Sequence, residues 1–182
     1  EGTHERAYEK LGAHLVSFDG RQGVAFAVWA PNARQVAVVG DFNDWKEHGD
    51  YRMYHVKNSP GVWEVELQSG AIKHGDLYKL KVRWNGGEGE RIPAWANRVV
   101  QDEQTKIFSA QVWEPENPYR FRKKVFRAKT DPLMIYECHI GMAQEEERVG
   151  TYNEFREKIL PRIAEAGYNC IQIMAIQEHP YY

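Results

Sequence analysis

Glu137 and His139 close an apolar run, residues 133–138, and Glu178 and His179 follow a second, residues 170–176. Carboxylates and imidazoles at the ends of two strands could act as general acids and bases. They could also begin a metal site. Such a site needs three or four convergent ligands, which two strand-end histidines do not supply. The expected role of all four is structural, as hydrogen-bonding groups that shape a pocket wall. No metal, cofactor or catalytic residue is expected. No Ser-His-Asp or Cys-His arrangement can be argued. Cys138 and Cys170 are expected to be a buried, reduced pair, and Glu145-Glu146-Glu147 a solvated loop.

The stronger chemical signal is aromatic. The 182 residues include six Trp and ten Tyr, and 13% are aromatic. A Trp either anchors a core or offers a flat face to a ligand. A pyranose ring, with its face of C–H groups, is one ligand that such a face suits.

The elements that must carry these residues change along the chain. Residues from about 8 to 113 read as β-structure. In "GVAFAVWA", Val24, Phe26 and Val28 share one face, with Ala25, Ala27 and Trp29 on the other, so a central strand apolar on both faces is expected. "QVAVVG" is a second strand. "VWEVEL" alternates, with Trp63, Val65 and Leu67 inward. "LYKLKVRW" sets Tyr78, Leu80, Val82 and Trp84 opposite Leu77, Lys79, Lys81 and Arg83. Half-buried antiparallel strands at this spacing predict an immunoglobulin-like β-sandwich. The tip 85–89 has the glycines of a phosphate loop but leads into strand, not helix, which argues against phosphate binding. "KIFSAQVW" is a last strand, ending near Trp113.

Residues 114–132 hold Pro115, Pro118 and Pro132 and a basic run, and predict an extended linker. Residues 133–182 change period. "LMIYECHIG" and "CIQIMAI" read as buried strands. Between them "TYNEFREKILPRIAEAG" is helical, with a Thr151–Glu154 capping box and Gly167 as its stop. Tyr152, Phe155, Ile159, Ile163 and Ala166 fall on one face, and Pro161 should kink or restart the helix. Strand, helix, strand is one unit of a parallel sheet, which one unit cannot complete. The sequence therefore looks truncated, and these apolar strands should make the chain self-associate.

Charge and composition exclude several classes. The net charge of -2 lacks the basic excess of a nucleic-acid module. No apolar run is long enough to span a membrane. Two cysteines and an N-terminus without an apolar core fit a reducing, cytoplasmic setting.

The stretch "FAVWAPNARQVAVVGDFNDW" resembles the glycogen-binding module that precedes the barrel of α-amylase-superfamily enzymes. "YEKLGAH", "RIPAWANRVVQDE" and residues 135–182, "IYECHIGMAQEEERVGTYNEFREKILPRIAEAGYNCIQIMAIQEHPYY", resemble the 1,4-α-glucan branching enzymes. The resemblance implies a glycogen-binding β-sandwich over 1–113, a linker over 114–132 and the start of a (β/α)8 barrel over 133–182. It implies retaining glycosyl transfer, in which two carboxyl groups ~5 Å apart cut an α-1,4 chain and pass it to a 6-hydroxyl. Those carboxylates follow later barrel strands, so this chain alone is expected to be inactive. The resemblance also implies α-glucan contacts. Trp45 matches the Trp after the "DFN" turn, Lys79 a Lys that bonds sugar hydroxyls, and Trp95 a second Trp, with Trp84 its competitor. A debranching hydrolase and a non-catalytic glucan-binding module are the rival readings.

Overall fold

The computed structural model describes residues 5–18, 20–68, 70, 72–122 and 132–176. They belong to two compact units, Glu1–Tyr119 and Arg120–Tyr182. Glu178, His179 and most of the basic run lie outside the described residues.

The first unit is built from two sheets. One has the order β1 (Gly12–Phe18), β2 (Arg21–Trp29), β5 (Val62–Gln68), β4 (Tyr54–His55). The other runs β3 (Ala33–Gly40), β6 (Leu77–Trp84), β9 (Phe108–Gln111), β8 (Val99–Gln101), and β7 (Gly87–Arg91) also pairs with β6. All pairings within these sheets are antiparallel. The alternation explains the sandwich. Val24 and Phe26 of β2 and Trp63, Val65 and Leu67 of β5 meet Val36 and Val38 of β3 and Tyr78 and Leu80 of β6 in one core. Phe26 and Tyr78 pack edge to face with centroids 5.1 Å apart, a favoured aromatic geometry.

Three expectations change here. β2 is central, between β1 and β5, yet its second face is not covered at Trp29, which is 62% exposed. "KIFSAQVW" forms a strand only over Phe108–Gln111. The left-handed Lys106 (φ 61°) ends a tight turn whose backbone N–H groups bond Asp102. The segment "RVVQ", not read as a strand beforehand, supplies β8.

The second unit holds a parallel pair, β10 (Ile135–Cys138) and β11 (Cys170–Ile173), in register Ile135↔Cys170 to Cys138↔Ile173. Between them lie α1 (Tyr152–Glu154), a π-helical turn (Phe155–Ile159) and α2 (Leu160–Glu165). The capping box is formed in both directions. The π-turn is how the chain meets Pro161, which has no N–H and crowds the preceding turn. The helix widens over Phe155–Ile159 and restarts with Pro161 in its first turn. Phe155, Ile159, Leu160 and Ile163 face Cys138, Ile140, Ile171 and Ile173. Tyr152 and Ala166 do not join this face; both are exposed.

The two strands are not buried as expected. Ile135, Tyr136 and Glu137 are exposed, and only Cys138 of β10 is buried. A two-stranded sheet has one helix for cover, so its other face has no partner among the described residues. The cysteines also stand apart. Cys138 is buried and Cys170 half-buried, three residues out of register, and both are free thiols. Burial pushes the Cys138 thiol up, and Glu137 adds to the shift, so it is an inert core group.

Candidate functional site

The "DFNDW" turn is held by its own polar groups. Asn43 Oδ1 accepts from Gly40 N at 2.9 Å, and Asn43 Nδ2 donates to Val38 O at 3.0 Å. Phe42 turns inward and stacks on Tyr51, with centroids 5.4 Å apart. Asp44 and Trp45 then both take left-handed conformations, φ 53° and 58°, an arrangement that costs free energy for residues with a Cβ. Two bonds hold Trp45 there: its N–H donates to Gly40 O at 2.9 Å, and its indole Nε1 to Asp41 Oδ1 at 3.1 Å. The other Asp41 oxygen accepts from Leu77 N.

Lys79, on β6, brings its ammonium 5.8 Å from the Trp45 ring centroid, within cation–π range. The same ammonium pairs with Glu90 of β7 at 3.4 Å. The β6–β7 register sets Lys79, Lys81 and Arg83 beside Glu88 and Glu90 on the outer face. Lys81 pairs with Glu88, and Arg83 with Glu88 and Glu47. The Arg83 guanidinium, then Lys81, hold the Glu88 carboxyl below its usual range. Charges, not a second aromatic ring, thus surround Trp45.

Of the four residues that the resemblance named, Trp45 and Lys79 come together. Trp95 and Trp84 stand elsewhere. Trp84 is on the opposite face of β6 from Lys79, with the Arg91 guanidinium 5.0 Å from its ring centroid. Trp95 lies in the turn after β7, against β1. Its carbonyl oxygen occupies the space that a Cβ on Gly12 would fill. Asn97 Nδ2, two residues on, bonds Ala13 O at 3.0 Å.

The remaining tryptophans sort by what covers them. Trp63 is buried, with Nε1 donating to Ala30 O at 3.0 Å. Trp113 has the Arg98 guanidinium 4.0 Å and the His74 ring 4.8 Å from its centroid. Trp29 is 62% and Trp95 42% exposed, and the two line one small pocket with Ala27, Val28, Pro93 and Ala94. Neither ring carries an aromatic or cation partner among the described residues. Trp29 is the residue that sequence reading missed, because its apolar strand marked it as core.

Glu137 accepts from Gln172 Nε2 at 2.8 Å, a structural bond between β10 and β11. Among the described residues no group of three His, Cys, Asp or Glu could hold a metal ion. No helix among them is long and apolar enough to cross a membrane.

Comparison with known proteins joins these observations. Residues 10–96 match carbohydrate-binding module 48, the isoamylase N-terminal domain. The chain is 39% identical over 185 residues to the 1,4-alpha-glucan-branching enzyme of Rhizophagus irregularis, covering 97% of this chain and 26% of that enzyme. It is 36% identical to the 1,4-alpha-glucan-branching enzyme of Dictyostelium discoideum, again over 97% of this chain and 26% of the relative. A pullulanase from Bacillus acidopullulyticus shares the fold, with TM-score 0.69 and 17% identity over 93% of this chain and 22% of that one. The chain thus spans about a quarter of the length of the curated relatives it matches. Over residues 10–96 the chain is thus similar to carbohydrate-binding module 48, and over nearly its whole length to part of the 1,4-alpha-glucan-branching enzymes.

Proposed function

We propose that this chain is the glucan-holding N-terminal part of a cytoplasmic 1,4-α-glucan branching enzyme. The parent protein cuts an α-1,4-glucan and transfers the chain to a 6-hydroxyl. In this reading residues 1–113 are the binding module, 114–132 the linker, and 133–182 the opening of a (β/α)8 barrel, with β10 and β11 as its first two strands. The chemistry then lies in carboxylates on later strands, and this chain contributes substrate placement.

The observation that carries the reading is the pair of uncovered indole faces, Trp29 and Trp95, lining one pocket on a module of the carbohydrate-binding family. A flat apolar face suits the C–H face of glucose. Trp45 with Lys79 supplies a second contact, where the ring stacks and the ammonium donates to a hydroxyl. Trp84 is the weaker partner, since Arg91 already occupies its face.

Affinity electrophoresis in glycogen gels, with maltoheptaose titration, tests this. Trp29→Ala, Trp95→Ala and Trp45→Ala should each weaken binding, by about 1–3 kcal/mol for an anchoring contact. If all three folded variants migrate as the parent does, the module does not hold glucan through these faces.

A further inference from the structure

The tip between β6 and β7 plays no part in glucan binding as proposed above. Its two residues, Asn85 and Gly86, are both exposed. They join Trp84 to its partner Gly87 in a two-residue hairpin turn. Gly86 is left-handed, φ 92°, and a Cβ built on it would meet nothing within 4 Å. Neither the Asn85 amide nor the Gly86 N–H makes a hydrogen bond among the described residues.

That combination has a chemical consequence. An asparagine Cγ can close a five-membered ring with the backbone nitrogen of the next residue. Attack needs that nitrogen free of a hydrogen bond, open to solvent base and unhindered by a side chain, and it needs an amide free to turn. The other described asparagines each fail one condition. After Asn32, Asn58 and Asn153, the N–H groups of Ala33, Ser59 and Glu154 already donate to Ala30 O, Val56 O and Thr151 Oγ1. The side chains of Asn43, Asn97 and Asn169 are held by bonds to backbone groups. Asn117 precedes a proline, which has no N–H.

We infer that Asn85 is a site of spontaneous deamidation whose isoaspartyl product unfastens β7. The Gly86 nitrogen bonds to Asn85 Cγ and gives up its proton, and the bond from Cγ to the amide nitrogen breaks to release ammonia. Water then opens the cyclic imide. Cleavage of its Cγ–N bond leaves aspartate. Cleavage of the bond from the Asn85 backbone carbonyl carbon leaves isoaspartate, with the chain running through Cγ. Both products carry a new negative charge, and isoaspartate adds a carbon to the main chain. Turn length fixes hairpin register, and β7 pairs with β6 alone among the described residues. The added carbon therefore breaks the Trp84↔Gly87 pairing and draws Glu88 and Glu90 away from Lys81, Arg83 and Lys79.

The test is incubation of the folded 182-residue chain at mildly alkaline pH, followed by peptide mass mapping and isoaspartyl-methyltransferase labelling. The amide-to-acid mass change should appear first at Asn85, at a rate that climbs in proportion to hydroxide. Asn85→Gln, in which attack needs a larger ring, should abolish the labelling there. Position 85 is exposed, so this variant should fold. Hydrogen exchange should show the amides of β7 losing protection in the isoaspartyl form. Asn85→Asp, which has the charge without the extra carbon, should keep the protection of the parent. An Asn85 that survives in the folded chain, or that converts no faster than Asn58, overturns the site. A β7 as protected in the isoaspartyl form as in the parent overturns the unfastening.

Discussion

Gly40→Ala should both destabilise the first unit and disarm the Trp45 turn. Gly40 has extended backbone, φ -179°, so the effect is one of space and not of conformation. A Cβ there would lie 2.8 Å from Phe42 Cε1 and 3.0 Å from Phe42 Cζ, and closer still to the backbone oxygen of Leu77. Phe42 cannot step aside freely, because it stacks on Tyr51 and packs against the core. Leu77 cannot either, because its N–H is bonded to Asp41 and β6 is paired with β3. The β3–β6 pairing at Gly40↔Tyr78 must therefore open. Overpacking of this kind costs about 3 kcal/mol when backbone has to move. For a unit of this size that lowers the melting midpoint by about 10 °C. Gly49, with nothing near its would-be Cβ, supplies the control: Gly49→Ala should melt as the parent does. Urea titration followed by tryptophan fluorescence reads the stability, and glycogen-gel mobility reads the turn. A Gly40→Ala protein within about 0.5 kcal/mol of the parent, the range of ordinary surface substitutions, would refute the packing argument.

Other outcomes follow from single contacts. Tyr78 is fully buried, and its hydroxyl has no hydrogen-bond partner among the described residues, so Tyr78→Phe should leave stability unchanged or raise it by about 1 kcal/mol in the same urea titration. Glu154 is held at a pKa of about 2, first by the Arg148 guanidinium and then by the Thr151 backbone N–H and hydroxyl. Its folded pKa lies below the unfolded value of about 4.3, so this stabilisation is present above that value and fades as pH falls toward 2. Helical signal in the second unit should weaken over that window, and Glu154→Gln should flatten the pH dependence seen by circular dichroism. Leu133, Met134, Ile135 and Ile176 are at least half exposed, and uncovered apolar strands recruit other chains. Light scattering should therefore show concentration-dependent association, and a monomer at every concentration would contradict it.

Much of this architecture was legible in the sequence, because alternation and capping are local. Trp63, Val65 and Leu67 point inward as their spacing requires, since successive side chains on a strand alternate faces whatever the strand pairs with. Thr151 and Glu154 cap their helix because the bonds span only three residues. Gly167, at φ 89°, stops that helix, where a left-handed residue suits glycine. Trp45 and Lys79 were named by resemblance, as glucan contacts, rather than by any local pattern.

Tertiary structure alone decided which tryptophans keep a free face. Trp84 and Trp113 look as available in the sequence as Trp29. Yet Arg91 reaches Trp84 only because β7 folds back on β6, and Arg98 reaches Trp113 only because β8 pairs with β9, which brings them together at the open end of that hairpin. Trp29 ends an apolar strand and reads as core, but the cover that buries Ala27 on the same face does not reach it, and it stays 62% exposed. Burial of a strand's second face depends on what other segments pack there. That is a property of contacts distant in sequence, so the strand's own residues cannot state it.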